Sequence, residues 1–327
     1  MKRALIASVL LAGCSSAEPV RARSLPDAVA EGVAFLKRTQ NPNGSWGRAS
    51  ETRGLELYSM VPGSHDAFRV ATTALCVMAL RDVGETEAHG RGLEYLVTFG
   101  EARRDTGDIL YNIWANVYAL QCLAVESRFS TDPRIKKMAD WHLDRLVRYE
   151  SVNGGWFYYD FGARGQNPSE GPASFSTAAG LMALWEAKDA GLKVPEKLIQ
   201  RAMNRMHDMR LPDGNFLYGL YLQYYPQHPI NDVRGSCGRN QSCNLAMWTW
   251  GSKKVDEKQS RKGLEEMFTF QSFMKMGRKR PWPHEAWYAT SGYFYYFGTY
   301  YGGLLLDKMG DDAKTKYGEK LAAMVLP

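Results

Sequence analysis

The sequence predicts an all-α protein, an α/α toroid in which inner and outer helices alternate around a closed double ring. A pattern recurs along the chain, fullest in Gly32-x2-Phe35-Leu36-x3-Gln40-x3-Gly44-x-Trp46. Its first half returns as Arg91-Gly92-x2-Tyr95-Leu96, and its second half as Leu146-x3-Glu150-x3-Gly154-x-Trp156. Arg201-Ala202 leads to Met206-x3-Arg210-x3-Gly214-x-Phe216, and Lys262-Gly263 leads to Met267-x3-Gln271. Anchors at Gly32, Gly92, His142, Ala202 and Gly263 set a period of about 50–60 residues, suited to a module that cannot bury its apolar face alone. Wholly apolar helices also alternate with amphipathic ones. No stretch carries the two-residue period of a strand.

Residues 25–39 form the first helix, with Pro26 and Asp27 in its opening turn and Val29, Val33 and Leu36 along one face. Pro42 and Gly44 end it, and Trp46 folds back. A second helix runs from Ser64 to about Asp82, apolar or small on every side between Val70 and Leu80, which requires burial all round. Amphipathic 86–99 is followed by apolar 113–125, amphipathic 134–149, and small, apolar 173–187. Then come amphipathic 196–209, a short inner helix at 244–250, amphipathic 256–274, aromatic 290–307 and amphipathic 312–325. Five inner helices thus alternate with six outer ones. Short connections suit antiparallel neighbours. A closed ring shields every inner helix, whereas an open solenoid leaves one flank bare.

A chain of 327 residues suffices for one large domain. The net charge of +6 is spread out, and the densest basic run, Lys275 to Arg280, is short, so no nucleic-acid partner is expected. Lys2 and Arg3 precede an apolar run from Ala4 to Leu11, and Leu11-Ala12-Gly13-Cys14 follows. This resembles a bacterial lipoprotein signal. It implies that residues 1–13 are removed, Cys14 is lipidated, residues 14–24 are a tether and residues 25–327 are the toroid. The protein would then sit in the bacterial cell envelope, periplasmic or on the outer membrane, held to the membrane by the acyl anchor on Cys14. Cys76 and Cys122 lie in apolar helices and read as buried thiols. Cys237 and Cys243 flank a short polar stretch, where a disulfide and two thiols both fit.

The repeat resembles the Gln–Trp motif of the terpenoid cyclase and protein prenyltransferase superfamily, whose members are α/α toroids. Squalene–hopene-type cyclases of that superfamily protonate substrate with Asp-x-Asp-Asp-Thr-Ala, which does not occur here; Asp311-Asp312 is the nearest acidic pair. Prenyltransferase β-subunits hold zinc through an Asp-x-Cys pair and a later His. Here Cys243 falls on the Cys, Gln241 stands for the Asp and Phe297 for the His. In the related thioester domains two residues separate Cys from Gln, against three between Cys237 and Gln241. The overall likeness is to prenyltransferase/squalene-oxidase repeat proteins, for which the resemblance implies a fold more than a reaction. No metal site and no cofactor is expected.

In a toroid the inner helices aim their ends at one central cavity. His65 and Asp66 are a candidate acid–base pair. His284, in the rigid Arg280-Pro-Trp-Pro-His284-Glu285 loop, is a third candidate catalytic residue. Asn112, Asn116, Ser176, Arg234, Arg239, Gln241 and Tyr293 are candidate ligand contacts, the arginines as a clamp for phosphate or carboxylate. The same residue types also cap helices irrespective of function. The aromatic run from Tyr293 to Phe297, with Tyr300 and Tyr301, resembles the lining of a polyprenyl pocket, and rings at helical spacing equally build a core. Two functions are carried forward: binding of a hydrophobic or polyprenyl-like ligand in the cavity, and a non-catalytic, protein-binding scaffold.

Overall fold

The computed structural model describes residues 24–47, 64–102, 112–158, 171–279 and 286–326. The lipidation signal around Cys14, and His284 with Glu285, lie outside the described residues. Within them run α1 (Leu25–Thr39), α2 (Ser64–Asp82), α3 (Glu87–Phe99), α4 (Asn112–Glu126), α5 (Pro133–Arg148) and α6 (Ser174–Asp189). They are followed by α7 (Glu196–Asp208), α8 (Val233–Thr249), α9 (Glu257–Arg278), α10 (Trp287–Met309) and α11 (Asp311–Val325). The fold is an α/α toroid. Even-numbered helices are inner and odd-numbered ones outer; the described residues hold no strand, and the bridges Ala173–Gly219 and Arg210–Phe216 stand isolated. No helix among them is long and apolar enough to cross a membrane.

Local chemistry starts three of the outer helices, α1, α5 and α9. Ser24 accepts from the Asp27 amide at 3.2 Å, Asp132 from Arg134 at 2.9 Å and Asp256 from Gln259 at 2.9 Å, each satisfying an amide that the first turn leaves open. Inner helices rely on packing instead: α2 runs along α4, α4 along α6, α6 along α8 and α8 along α10, each resting on the outer helix that follows it. In α4 every side chain but Trp114 and Val125 is buried. Helices so enclosed need no amphipathic stripe.

The repeated turn does the same job in successive modules. The indole N–H groups of Trp46 and Trp156 each donate over 2.8 Å to a carbonyl ten residues back, at Leu36 and Leu146. Their backbone amides donate to Thr73 and Thr177 on the next inner helix, at 2.9 and 3.1 Å. Gly44 adopts φ +87°, and a β-carbon there would lie 2.2 Å from the Arg91 carbonyl oxygen, so only glycine fits. The residue four before that glycine reaches the next outer helix. Arg91 Nε donates to Gln40 Oε1 at 2.9 Å, and Arg201 clasps Glu150 through both carboxylate oxygens at 2.7 and 2.6 Å. In the third copy Arg210 takes the turn position and donates to Gln259 Oε1 of the next outer helix at 3.4 Å, while Lys262 of that helix donates to the Asp213 carbonyl at 2.6 Å.

One element departs from expectation. The inner helix expected at 244–250 begins at Val233, so Arg239, Asn240 and Gln241 sit within α8 rather than before it. Their polarity mimics a loop, yet each finds partners inside the ring. Gln241 donates to Cys237 O and Gly263 O at 2.8 and 2.9 Å, Asn240 to Asn215 at 2.8 Å, and Ser242 to Arg239 O at 2.9 Å. Cys237 and Cys243, six positions apart on this helix, are both free and buried, as are Cys76 and Cys122.

Candidate ligand-binding mouth

Inner and outer helices alternate in direction, so the inner helices all begin at one end of the ring, the mouth. Phe175, in the first turn of α6, is the hub there. Its ring lies 4.8 Å from Phe294, 5.1 Å from Tyr218, 5.7 Å from Tyr158 and 6.0 Å from Trp114. Phe157, Tyr158, Phe175, Tyr218, Ile230 and Phe294 are buried together. Phe68, Trp114, Trp287 and Phe297 pack upon that cluster and stay partly exposed. These four come from α2, α4 and α10; Phe297 lies 6.1 Å from Trp114 and Phe294 4.8 Å from Phe175, which ties α10 to α4 and α6. Deeper in, Phe297 lies 4.7 Å from Tyr301. Offset and edge-on rings of this kind make an apolar, weakly polarised wall.

Beneath the cluster lies Arg239, fully buried. It donates to Gly235 O at 2.5 Å, Phe216 O at 2.8 Å and Ile230 O at 2.7 Å, with its guanidinium 5.6 and 5.8 Å from the Tyr218 and Phe294 rings. No carboxylate among the described residues pairs with it. Burial lowers its pKa to about 10, which leaves it charged at neutral pH. The Tyr218 hydroxyl lies 3.3 Å from that of Tyr158, and burial holds Tyr218 well above the usual phenol range.

The other candidates scatter. His65 is half-buried, with Nδ1 shielded and without a partner among the described residues. Asp66 is exposed and pairs with Arg69 at 3.1 Å. As consecutive positions of one helix, His65 and Asp66 do not face each other. Asn116 donates to Asn112 O at 3.0 Å and meets His142 Nδ1 at 2.9 Å through Oδ1, toward the outer helix α5. Ser176 donates to Trp156 O at 2.7 Å, and exposed Arg234 lies 5.9 Å over Phe270 of α9. Tyr293 is exposed on α10. Burial, reinforced by Arg145, pushes the His142 imidazole down to about 3. No three His, Cys, Asp or Glu side chains gather as metal ligands among the described residues.

Phe68, Trp114, Phe175 and the Tyr158–Tyr218 pair were missed from sequence. A signal existed for the last: Trp156-Phe157-Tyr158 and Phe216-Leu217-Tyr218 place a tyrosine two residues after each pin.

No family model matches the chain. No solved structure matches it either. A probable squalene–hopene cyclase of Sinorhizobium fredii (strain NBRC 101917 / NGR234) is 26% identical over 208 residues. That similarity supports the terpenoid cyclase superfamily. It covers 57% of this chain but only 30% of the cyclase, so the chain spans less than a third of that relative.

Proposed function

We propose that this protein binds an apolar, polyprenyl-like molecule at the aromatic mouth of the toroid, and does so in the cell envelope, anchored through Cys14. The supporting observation is the set of partly exposed rings, Phe68, Trp114, Trp287 and Phe297, seated on a buried aromatic floor. Such faces offer an isoprenoid chain apolar surface on which to leave water. The similarity to a probable squalene–hopene cyclase agrees with an apolar ligand. The absence of Asp-x-Asp-Asp from the sequence argues against the mode of protonation that the squalene–hopene-type resemblance implies. The test is a tryptophan-fluorescence titration of the full chain with a polyprenol in mild detergent. Saturable binding that weakens in Trp114→Ala supports the reading; a flat titration sinks it.

The scaffold alternative is favoured by a different observation: Phe294, Phe297 and Tyr301 of α10 interlock with Phe175 and each other in the lumen, as a packed core would. A protein that co-purifies with envelope proteins but takes up no polyprenol fits this second reading.

A further inference from the structure

Between Phe216 and α8 the chain makes two 3₁₀ turns, Leu220–Tyr224 and Pro229–Asn231, and this loop forms one wall of the mouth. Its Tyr218 and Ile230 belong to the buried aromatic cluster, and Leu222 packs against that cluster. The loop is held at many points. Arg239 takes the carbonyls of Phe216 and Ile230, Asn231 accepts from the Tyr218 amide at 2.9 Å and donates to Pro226 O at 3.3 Å, and the Leu220 amide donates to Pro172 O at 2.9 Å.

This rigid backbone presents its aromatic side chains to water. Tyr224 is 88% exposed, Tyr225 55% and Tyr221 51%. Gln223 and Gln227 are exposed beside them, and residues 219–231 contain no Asp, Glu, Lys or Arg. His228 Nδ1 accepts from the Ile230 amide at 3.1 Å, which leaves Nε2 carrying the proton as a donor. Rings, amides and an N–H donor bring no formal charge to pair with an anion or a cation. They do match a neutral sugar, whose C–H faces stack on aromatic rings and whose hydroxyls pair with amides. Tyrosine on a pre-organised loop also loses little conformational freedom on binding.

Resting on the polyprenyl reading of the mouth, we propose that the ligand is amphiphilic: an isoprenoid chain bearing a neutral sugar, its tail on the Phe68, Trp114, Trp287 and Phe297 rings and its sugar on the Tyr224–Tyr225 edge of the loop. The full chain would be titrated in detergent with decaprenol and with decaprenyl β-glucoside. The glucoside binds about tenfold tighter to the unmodified protein, a difference the two ring contacts can supply. The double variant Tyr224→Ala, Tyr225→Ala loses that preference and keeps its affinity for decaprenol, and the single variant Tyr224→Ala, at a side chain 88% exposed, loses part of the preference with the fold untouched. Equal affinities for the two lipids in the unmodified protein, or a preference that survives in the double variant, overturn the sugar assignment while the polyprenyl reading stands. If decaprenol itself does not bind, the reading of the mouth fails first and the sugar assignment falls with it.

Discussion

Trp156 lies against Gly180 so closely that a β-carbon at position 180 would stand 2.7 Å from Cε3 of the indole. The first module repeats the relationship with a different partner helix, where a β-carbon on Gly92 would meet Trp46 Cζ3 at 2.7 Å. In these two modules the pin is thus a ring that requires a bare backbone opposite.

Gly180→Ala destabilises the protein by about 1–3 kcal/mol through overpacking, and Trp156→Ala by about 3–5 kcal/mol through the cavity it leaves. The double variant is less destabilised than the two together, because without the ring the added methyl has room. Denaturant unfolding measures all three. Strict additivity would show that the ring is not what position 180 accommodates.

Arg239 holds the loop at residues 217–232 through carbonyls that water does not reach. Arg239→Gln strands those oxygens at a cost of roughly 2–4 kcal/mol. Arg239→Lys restores little, since an ammonium lacks the fork that reaches three acceptors. Limited proteolysis reads the effect: cleavage between Tyr218 and Asn231 accelerates in both variants. Unchanged resistance there would refute this role for Arg239.

His142 makes the fold sensitive to acid. It stays neutral in the folded state down to about pH 3, while the unfolded chain protonates it near its ordinary value of 6.5. Between those limits the unfolded state binds the extra proton, so stability falls as pH drops, by at most about 1.4 kcal/mol per pH unit from this group. In His142→Gln the unfolding free energy declines less steeply from pH 6.5 to pH 4. Parallel slopes for variant and parent would exclude His142 as the source.

Cys76, Cys122, Cys237 and Cys243 are buried thiols, and burial raises all four; Cys76, Cys237 and Cys243 reach about 12. A thiol, unlike a thiolate, is a poor nucleophile. Iodoacetamide at pH 8 therefore leaves these four unmodified in the native protein and alkylates each in denaturant, as intact-mass and peptide analysis would show. Native labelling of any of the four would contradict its placement.

Much of the fold was legible because its signals are local. Alternation of all-apolar with amphipathic segments marks inner and outer helices wherever a helix is apolar. The Gln40-to-Trp46 spacing marks the turns. α8 escaped for the same reason: Arg239, Asn240, Gln241 and Ser242 are polar, and a buried polar helix resembles a loop until its distant partners, Asn215, Phe216 and Gly263, are in place. The recurrence of Arg91, Arg201 and Lys262 before a small residue was visible, but that each reaches back to the preceding turn was not.

By itself, then, the sequence determined the repeat, the count of inner and outer helices and the burial of Cys76 and Cys122, because periodicity and apolarity act over a few turns of chain; that Cys237 and Cys243 are free and buried emerged only with α8 in place. Only the tertiary structure decided which polar residues serve the fold and which aromatic ones meet at the mouth. A polar side chain announces that it needs a partner, not whether that partner is water, a ligand or a carbonyl from another module. For Arg239 and Gln241 the partners are carbonyls, and Trp114, Phe175 and Phe294 become neighbours only when the inner helices α4, α6 and α10 meet around one axis.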